Sequence, residues 1–230
     1  MDVGTTPLAG RARDVERRIA DAARRSGRNP DAITLVAVSK TWPVDVIVGA
    51  LEAGITDLGE NRAQELKQKV AVLGDRPRWH FIGHLQTNKV RSVVGSVVLV
   101  HSVDRFGLAE AIARRASALG LTQEVLIEVN IAGEARKHGV EPQRAQALAE
   151  EVAALDGIRV LGLMTMAPFT DDPEDSRSHF AALRELGASL QQGLPEAAEL
   201  SMGMTRDFEV AVEEGATLVR VGEAIFGARP

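Results

Sequence analysis

Cysteine and tyrosine are both absent from this 230-residue chain. Without cysteine, disulfides, thiolate metal centres and cysteine nucleophiles are excluded. That composition suits a reducing cytoplasm, the expected compartment. Aromatic residues make up only 3% of the chain, and the missing tyrosine removes one common acid–base group from any mechanism. The net charge of -5 offers no electrostatic footprint for nucleic acid, so none is expected as a partner. No apolar run is long enough to span a bilayer, and the opening "MDVGTTPLAGRARDVERR" is too polar for a signal peptide. Neither G-x-G-x-x-G nor G-x-x-x-x-G-K-[ST] follows any β-rich run, which counts against an open nucleotide-binding sheet. No linker or shift in composition divides the chain, so a single domain over 1–230 is expected.

What is present is alternation. An amphipathic helix is predicted over about Pro7 to Arg25. Strands follow at 33–40, 56–61, 78–84, 97–104, 124–130, 158–166, 198–203 and 217–222. Helical patterns such as "VDVIVGALEAG", "RFGLAEAIARRASALG", "EPQRAQALAEEVAALDG" and "SRSHFAALRELGASLQQG" separate them. Parallel neighbours need crossovers, and eight strand–helix units point to an α/β fold: one closed (β/α)₈ TIM barrel with an extra N-terminal helix.

In such a barrel the C-terminal strand ends build the active site. Lys40, ending "LVAVSK", is either a surface charge or an amine at a pocket mouth, and those residues alone leave both open. Ser201 and Gly203 in "LSMGMT" and Gly222 in "VRVGEAIFG" fall where barrels bind phosphate. A helix opening at "TRDFEVAVEEG" would favour an anion. Arg220 shares a strand face with Leu218 and Gly222, and a buried guanidinium needs an acceptor. His80 and His84 are expected on one face of the third strand. Their spacing is no zinc signature, so no metal site is expected and His80 is read as a neutral planar wall. "RARDVERR" and "EARKHG" read as solvated faces. A lysine, a phosphate cradle and an arginine fit a phosphorylated aldehyde held as a Schiff base. Pyridoxal 5′-phosphate (PLP) and the sugar-phosphate substrate of an aldolase both meet that description.

The stretches "AVSKTWP", "LGENRAQE", "WHFIGHLQTNK", "VLIEVNIAGEARKHGV", "GLMTMAP", "LSMGMTRDFEVAV" and "TLVRVGEAIFGAR" closely resemble the pyridoxal phosphate homeostasis proteins, from about Leu35 to Arg229. The resemblance implies a barrel of the alanine racemase N-terminal type with PLP on Lys40. It also implies Ser201, Gly203 and Gly222 at the phosphate, Arg220 near the pyridine nitrogen, and Asn61 and His80 beside the ring. Thr205 stands where the family often has serine. Glu223 stands where Thr or Ser is common, so its side chain is expected to turn away from a phosphate.

The implied function is a non-catalytic PLP binder serving vitamin B6 and amino-acid homeostasis, with PLP-dependent apoenzymes and free amino acids as partners. The alternative is a PLP-dependent racemase. Racemisation needs acid–base groups on both faces of the α-carbon, and the tyrosine that supplies the second in two-domain relatives is missing. The relatives' second domain also has no counterpart here, so a monomer is expected.

Overall fold

The computed structural model describes residues 6–134 and 138–228. Pro7 opens α1 (Pro7–Arg25), and the Thr6 hydroxyl accepts the Ala9 N–H at 3.3 Å. Proline at the first helical turn wastes no hydrogen bond, because that N–H has no partner in a helix anyway. The helix buries Ala12, Val15, Ile19, Ala22 and Ala23, an apolar stripe at helical spacing. Beyond it the elements alternate: β1 (Thr34–Val38), α2 (Val44–Glu52), β2 (Asp57–Glu60), α3 (Ala63–Leu73), β3 (Arg78–Phe81) and β4 (Leu99–Val103). A 3₁₀ stretch, Thr87–Ser92, makes the crossover between β3 and β4. Then come α4 (Phe106–Ala118), β5 (Gln123–Glu128), α5 (Pro142–Ala153), β6 (Ile158–Met164), α6 (Arg177–Gly193), β7 (Glu199–Ser201), α7 (Phe208–Glu213), β8 (Leu218–Val221) and α8 (Glu223–Phe226).

The eight strands form one closed barrel in sequence order, and every pair is parallel. The (β/α)₈ expectation therefore holds. Two apolar layers divide the work. Strand residues facing outward join the helices in one large core, while Val36, Leu99, Leu126, Met164 and Leu218 form a small cluster inside the barrel. Registers extend that interior face upward, pairing Gly59 with His80, Met164 with Ser201, and Val36 with Arg220. The barrel floor is apolar and the layer above it is polar.

Two sequence readings change here. β3 ends at Phe81, not at residue 84. A Cβ at Gly83 would sit 2.3 Å from the Asn61 carbonyl oxygen, so the chain peels off the sheet to let glycine pack on the backbone after β2. His84 thus leaves the strand and shares no face with His80. The "RARDVERR" segment is not wholly solvated: Arg11 Nε donates to the Ile225 carbonyl at 2.7 Å and Arg18 Nε to Glu209 at 2.7 Å. These arginines, with Arg28 Nη1 on the carbonyls of Val212 (2.7 Å) and Ala216 (2.8 Å), bind α1 and the turn after it to the last barrel units. The "EARKHG" reading lies partly outside the described residues.

Candidate functional site

Lys40 follows the end of β1, and alternation from Val36 places it on the interior side, half-buried. Its neighbour Ser39 faces the opposite way and is fully buried. There Ser39 Oγ donates to Glu60 Oε1 at 2.6 Å, while Lys69 Nζ reaches the same oxygen at 2.6 Å and the Ser39 carbonyl at 2.8 Å. Burial raises the Glu60 pKa, partly offset by Lys69 and Ser39. Thr41 has φ of 69°, the one positive φ outside glycine among the described residues, and its N–H donates to Glu65 Oε2 at 2.9 Å. A β-branched residue in that region is strained, and such strain persists only where surrounding bonds impose it. Glu60, Glu65 and Lys69 impose it, holding both sides of Lys40.

Beneath the mouth, a hydrogen-bonded chain crosses the barrel interior. Arg220 Nη1 lies 2.5 Å from Ser201 Oγ, and Nη2 lies 2.9 Å from the Thr165 carbonyl. His101 Nδ1 is 2.9 Å from the same serine oxygen, His101 Nε2 is 2.9 Å from His80 Nδ1, and His80 Nε2 is 2.9 Å from Asp57 Oδ1. Arginine only donates and an ionised Asp57 only accepts, so with both imidazoles neutral one order joins the two ends. Ser201 accepts from Arg220 and donates to His101, His101 donates to His80, and His80 donates to Asp57. Burial, then His80 and Arg220, holds His101 well below the usual histidine range. Burial opposes ionisation of Asp57, but hydrogen bonds from His80 and Thr56 outweigh it and keep its pKa low. Burial lowers Arg220 to about 10, with Glu128 and Asp207 pulling the other way.

The Ser201 side chain is fully buried, and its hydroxyl lies within hydrogen-bond distance of Arg220 and His101. Both ring nitrogens of His80 have partners, and its ring meets His101 edge-on at 5.2 Å.

The other residues expected at a phosphate lie in the loops after β7 and β8. Gly203 has φ of 90°, and a Cβ there would meet Ala211 Cβ at 2.5 Å, so only glycine fits. Gly222 N–H reaches Thr205 Oγ1 at 3.4 Å, linking the loops after β7 and β8. The helix expected to attract an anion is only six residues long, and Asp207 Oδ1 takes the Met204 N–H at 2.7 Å. Glu223 is exposed.

Three buried side-chain oxygens lack hydrogen-bond partners among the described residues: Glu60 Oε2, Asn61 Oδ1 and Glu128 Oε2. Glu128 is 3% exposed, and burial, with Asp104, raises its pKa to about 7 against the pull of Arg220. The sequence reading missed Glu128, His101 and Asp57. Alternation through Leu126 and Leu99 could have placed Glu128 and His101 inside, whereas nothing local marks Asp57. Together the site offers a rim amine, a buried guanidinium, glycine-lined loops and unpartnered acceptors. Those residues fit a planar phosphorylated aldehyde such as PLP, the lysine meeting the carbonyl and the loops after β7 and β8 meeting the phosphate.

Residues 13–230 match the family model described as alanine racemase, N-terminal domain. The pyridoxal phosphate homeostasis protein of Aquifex aeolicus is 48% identical over 217 residues, covering 92% of this chain and 94% of that protein. That of Pseudomonas aeruginosa is 44% identical over 216 residues, covering 94% and 93%. The structure of PipY from Synechococcus elongatus with PLP bound superimposes with a TM-score of 0.80 at 37% identity, covering 91% of this chain and 100% of PipY. With the barrel topology and these full-length relatives, the chain belongs to the pyridoxal phosphate homeostasis protein family, within the fold family of the alanine racemase N-terminal domain.

Proposed function

We propose that this chain binds PLP covalently through Lys40 and holds it without turnover, as a monomeric carrier serving vitamin B6 and amino-acid homeostasis in the cytoplasm. The observation that carries the reading is the pairing of Lys40 and Arg220. Arg220 lies on β8 opposite Val36 of the neighbouring β1, and Lys40 follows the end of β1, four residues beyond Val36 toward the rim. The Lys40 amine would join the PLP aldehyde carbon with release of water. Gly203, Thr205 and Gly222 would hold the phosphate through backbone N–H groups and a hydroxyl, and Asn61 would border the ring. When bound, PLP supplies an electron sink for bonds at an amino acid's α-carbon. Arg220 gives the ring nitrogen a donor that cannot surrender its proton near pH 7, which keeps that sink weak. Apoenzymes and free amino acids are the partners this reading implies.

A racemase reading retains one observation. Glu128 is a buried carboxyl with a pKa of about 7, in the range a general acid–base uses. The carrier reading rests on the tyrosine-free composition and on Arg220. The test is borohydride reduction of the PLP-loaded protein with peptide mapping, followed by incubation with L-alanine in D₂O. Labelling of the "VAVSK" peptide and no enzymatic-rate loss of chirality are expected. Labelling at Lys67, Lys69, Lys89 or Lys137 overturns the linkage. Rapid racemisation abolished by Glu128→Gln or His80→Ala overturns the carrier.

A further inference from the structure

We propose that His84, Asp104 and His138 form a binding site for a divalent first-row transition ion of the Zn²⁺ class at the rim of the barrel. The three side chains come from successive loops: His84 follows β3, Asp104 follows β4, and His138 lies between β5 and α5. One ligand atom from each lies within 4.8 Å of the others. His84 Nδ1 is 3.6 Å from Asp104 Oδ2, and the His84 and His138 rings stack with centroids 3.7 Å apart and planes 13° from parallel.

Arg105 Nη1 donates to Asp104 Oδ1 at 2.5 Å, so the second oxygen, Oδ2, is the one turned toward His84. His84 is fixed from behind, because Gly83 packs on the Asn61 backbone and its carbonyl accepts from Ser102 Oγ at 2.6 Å. Two imidazole nitrogens and one carboxylate oxygen suit Zn²⁺, Co²⁺ or Ni²⁺ better than Mg²⁺ or Ca²⁺, which prefer all-oxygen shells. Three protein ligands also leave a position open to water or to a small donor molecule. The ligands occupy the β3–β5 arc, across the mouth from β7, β8 and β1, so the site does not rest on the cofactor reading. An ion there would tie the β5–α5 connection to its two neighbours.

The experiment uses tag-free full-length protein, chelator-stripped and then dialysed. It is titrated with Zn²⁺ and, separately, Co²⁺, first without PLP and then with it. One equivalent per chain, visible Co²⁺ bands and no uptake of Mg²⁺ are expected. His84→Ala and His138→Ala should each weaken Zn²⁺ at least by the ~10–100-fold that loss of an outer partner costs in known sites. Lys40→Ala should leave Zn²⁺ affinity unchanged, which separates this site from the PLP amine. His138 is exposed, so its variant decides the matter even if His84→Ala folds poorly. Wild-type protein that takes up no ion at micromolar concentration, or that binds Zn²⁺ as tightly after His138→Ala, overturns the proposal.

Discussion

Arg220 Nη1 meets Ser201 Oγ at 2.5 Å inside the barrel, and that contact decides what the serine can do. A hydroxyl has one proton to give, and here it goes to His101 Nδ1. Ser201→Ala should therefore act on stability first. It strands a buried guanidinium N–H and a buried imidazole nitrogen, at a cost of about 1–3 kcal/mol in urea unfolding. The preference for PLP over pyridoxal, read by equilibrium dialysis, should stay as in wild type, whereas Thr205→Ala should reduce it. Lost phosphate preference in Ser201→Ala, with stability intact, would return the serine to the phosphate.

Lys69 and Glu60 make a second buried contact, 2.6 Å long, on the outer side of β1. Lys69→Met removes the counter-charge of a fully buried carboxylate whose Oε2 already lacks a hydrogen-bond partner. A loss of about 3–5 kcal/mol is expected near pH 7. Burial holds the Glu60 pKa up even in the wild type, so the loss should shrink as falling pH protonates the carboxyl. Adding Glu60→Leu should recover most of the stability, since an apolar pair needs no solvation. If the double variant is no better than Lys69→Met, the pair is not what holds β1 and β2 at this point.

The barrel was legible because its signals are local and repeated. Apolar β-branched runs such as "TLVAV" and glycine-ended helical patterns each declare an element, and eight in alternation leave little freedom of topology. Lys40, Gly203, Arg220 and Gly222 were legible for a related reason: strand ends can be located in sequence, and a barrel uses its C-terminal ends. What escaped was pairwise. Ser201 reads as a strand-end hydroxyl, and nothing in the sequence shows that His101, 100 residues away, lies 2.9 Å from its oxygen. Asp57 reads as the polar start of a strand, yet it is the acceptor at the end of the Arg220 chain. His84 and His138 meet only because β3 ends early to pack Gly83 against Asn61, a steric fact with no periodicity to reveal it.

Thr41 carries strain that can be measured. A non-glycine residue at φ of 69° costs roughly 1–2 kcal/mol, and glycine there gives back part of that in unfolded-chain entropy. Thr41→Gly should therefore leave the protein as stable or stabilise it by up to ~1 kcal/mol in thermal unfolding. Its use is positional, so the same change should slow attachment of PLP to Lys40, followed by visible absorption. Clear destabilisation would mean that the Thr41 side chain makes contacts that outweigh its backbone cost.

Glu128 gives a pH dependence of definite sign. Its carboxyl titrates near 4.5 when unfolded and at about 7 when folded, because burial penalises the charged form. Between those values the folded state binds the extra proton, so its contribution to stability falls as pH rises and is lost above about 7. A shift of that size corresponds to about 3 kcal/mol. Glu128→Gln keeps the shape and removes the charge. The variant should match the wild type near pH 4, gain on it progressively from about 4.5 to 7, and stay ahead by about 2–3 kcal/mol at pH 8. Urea unfolding at several pH values would measure the gap. Arg220 opposes part of the penalty by favouring the Glu128 anion, so a gap smaller than this would mean a stronger Glu128–Arg220 attraction than burial allows. Parallel curves for the two proteins would show that Glu128 titrates alike folded and unfolded, and would remove it as the buried proton-holding group beside Arg220.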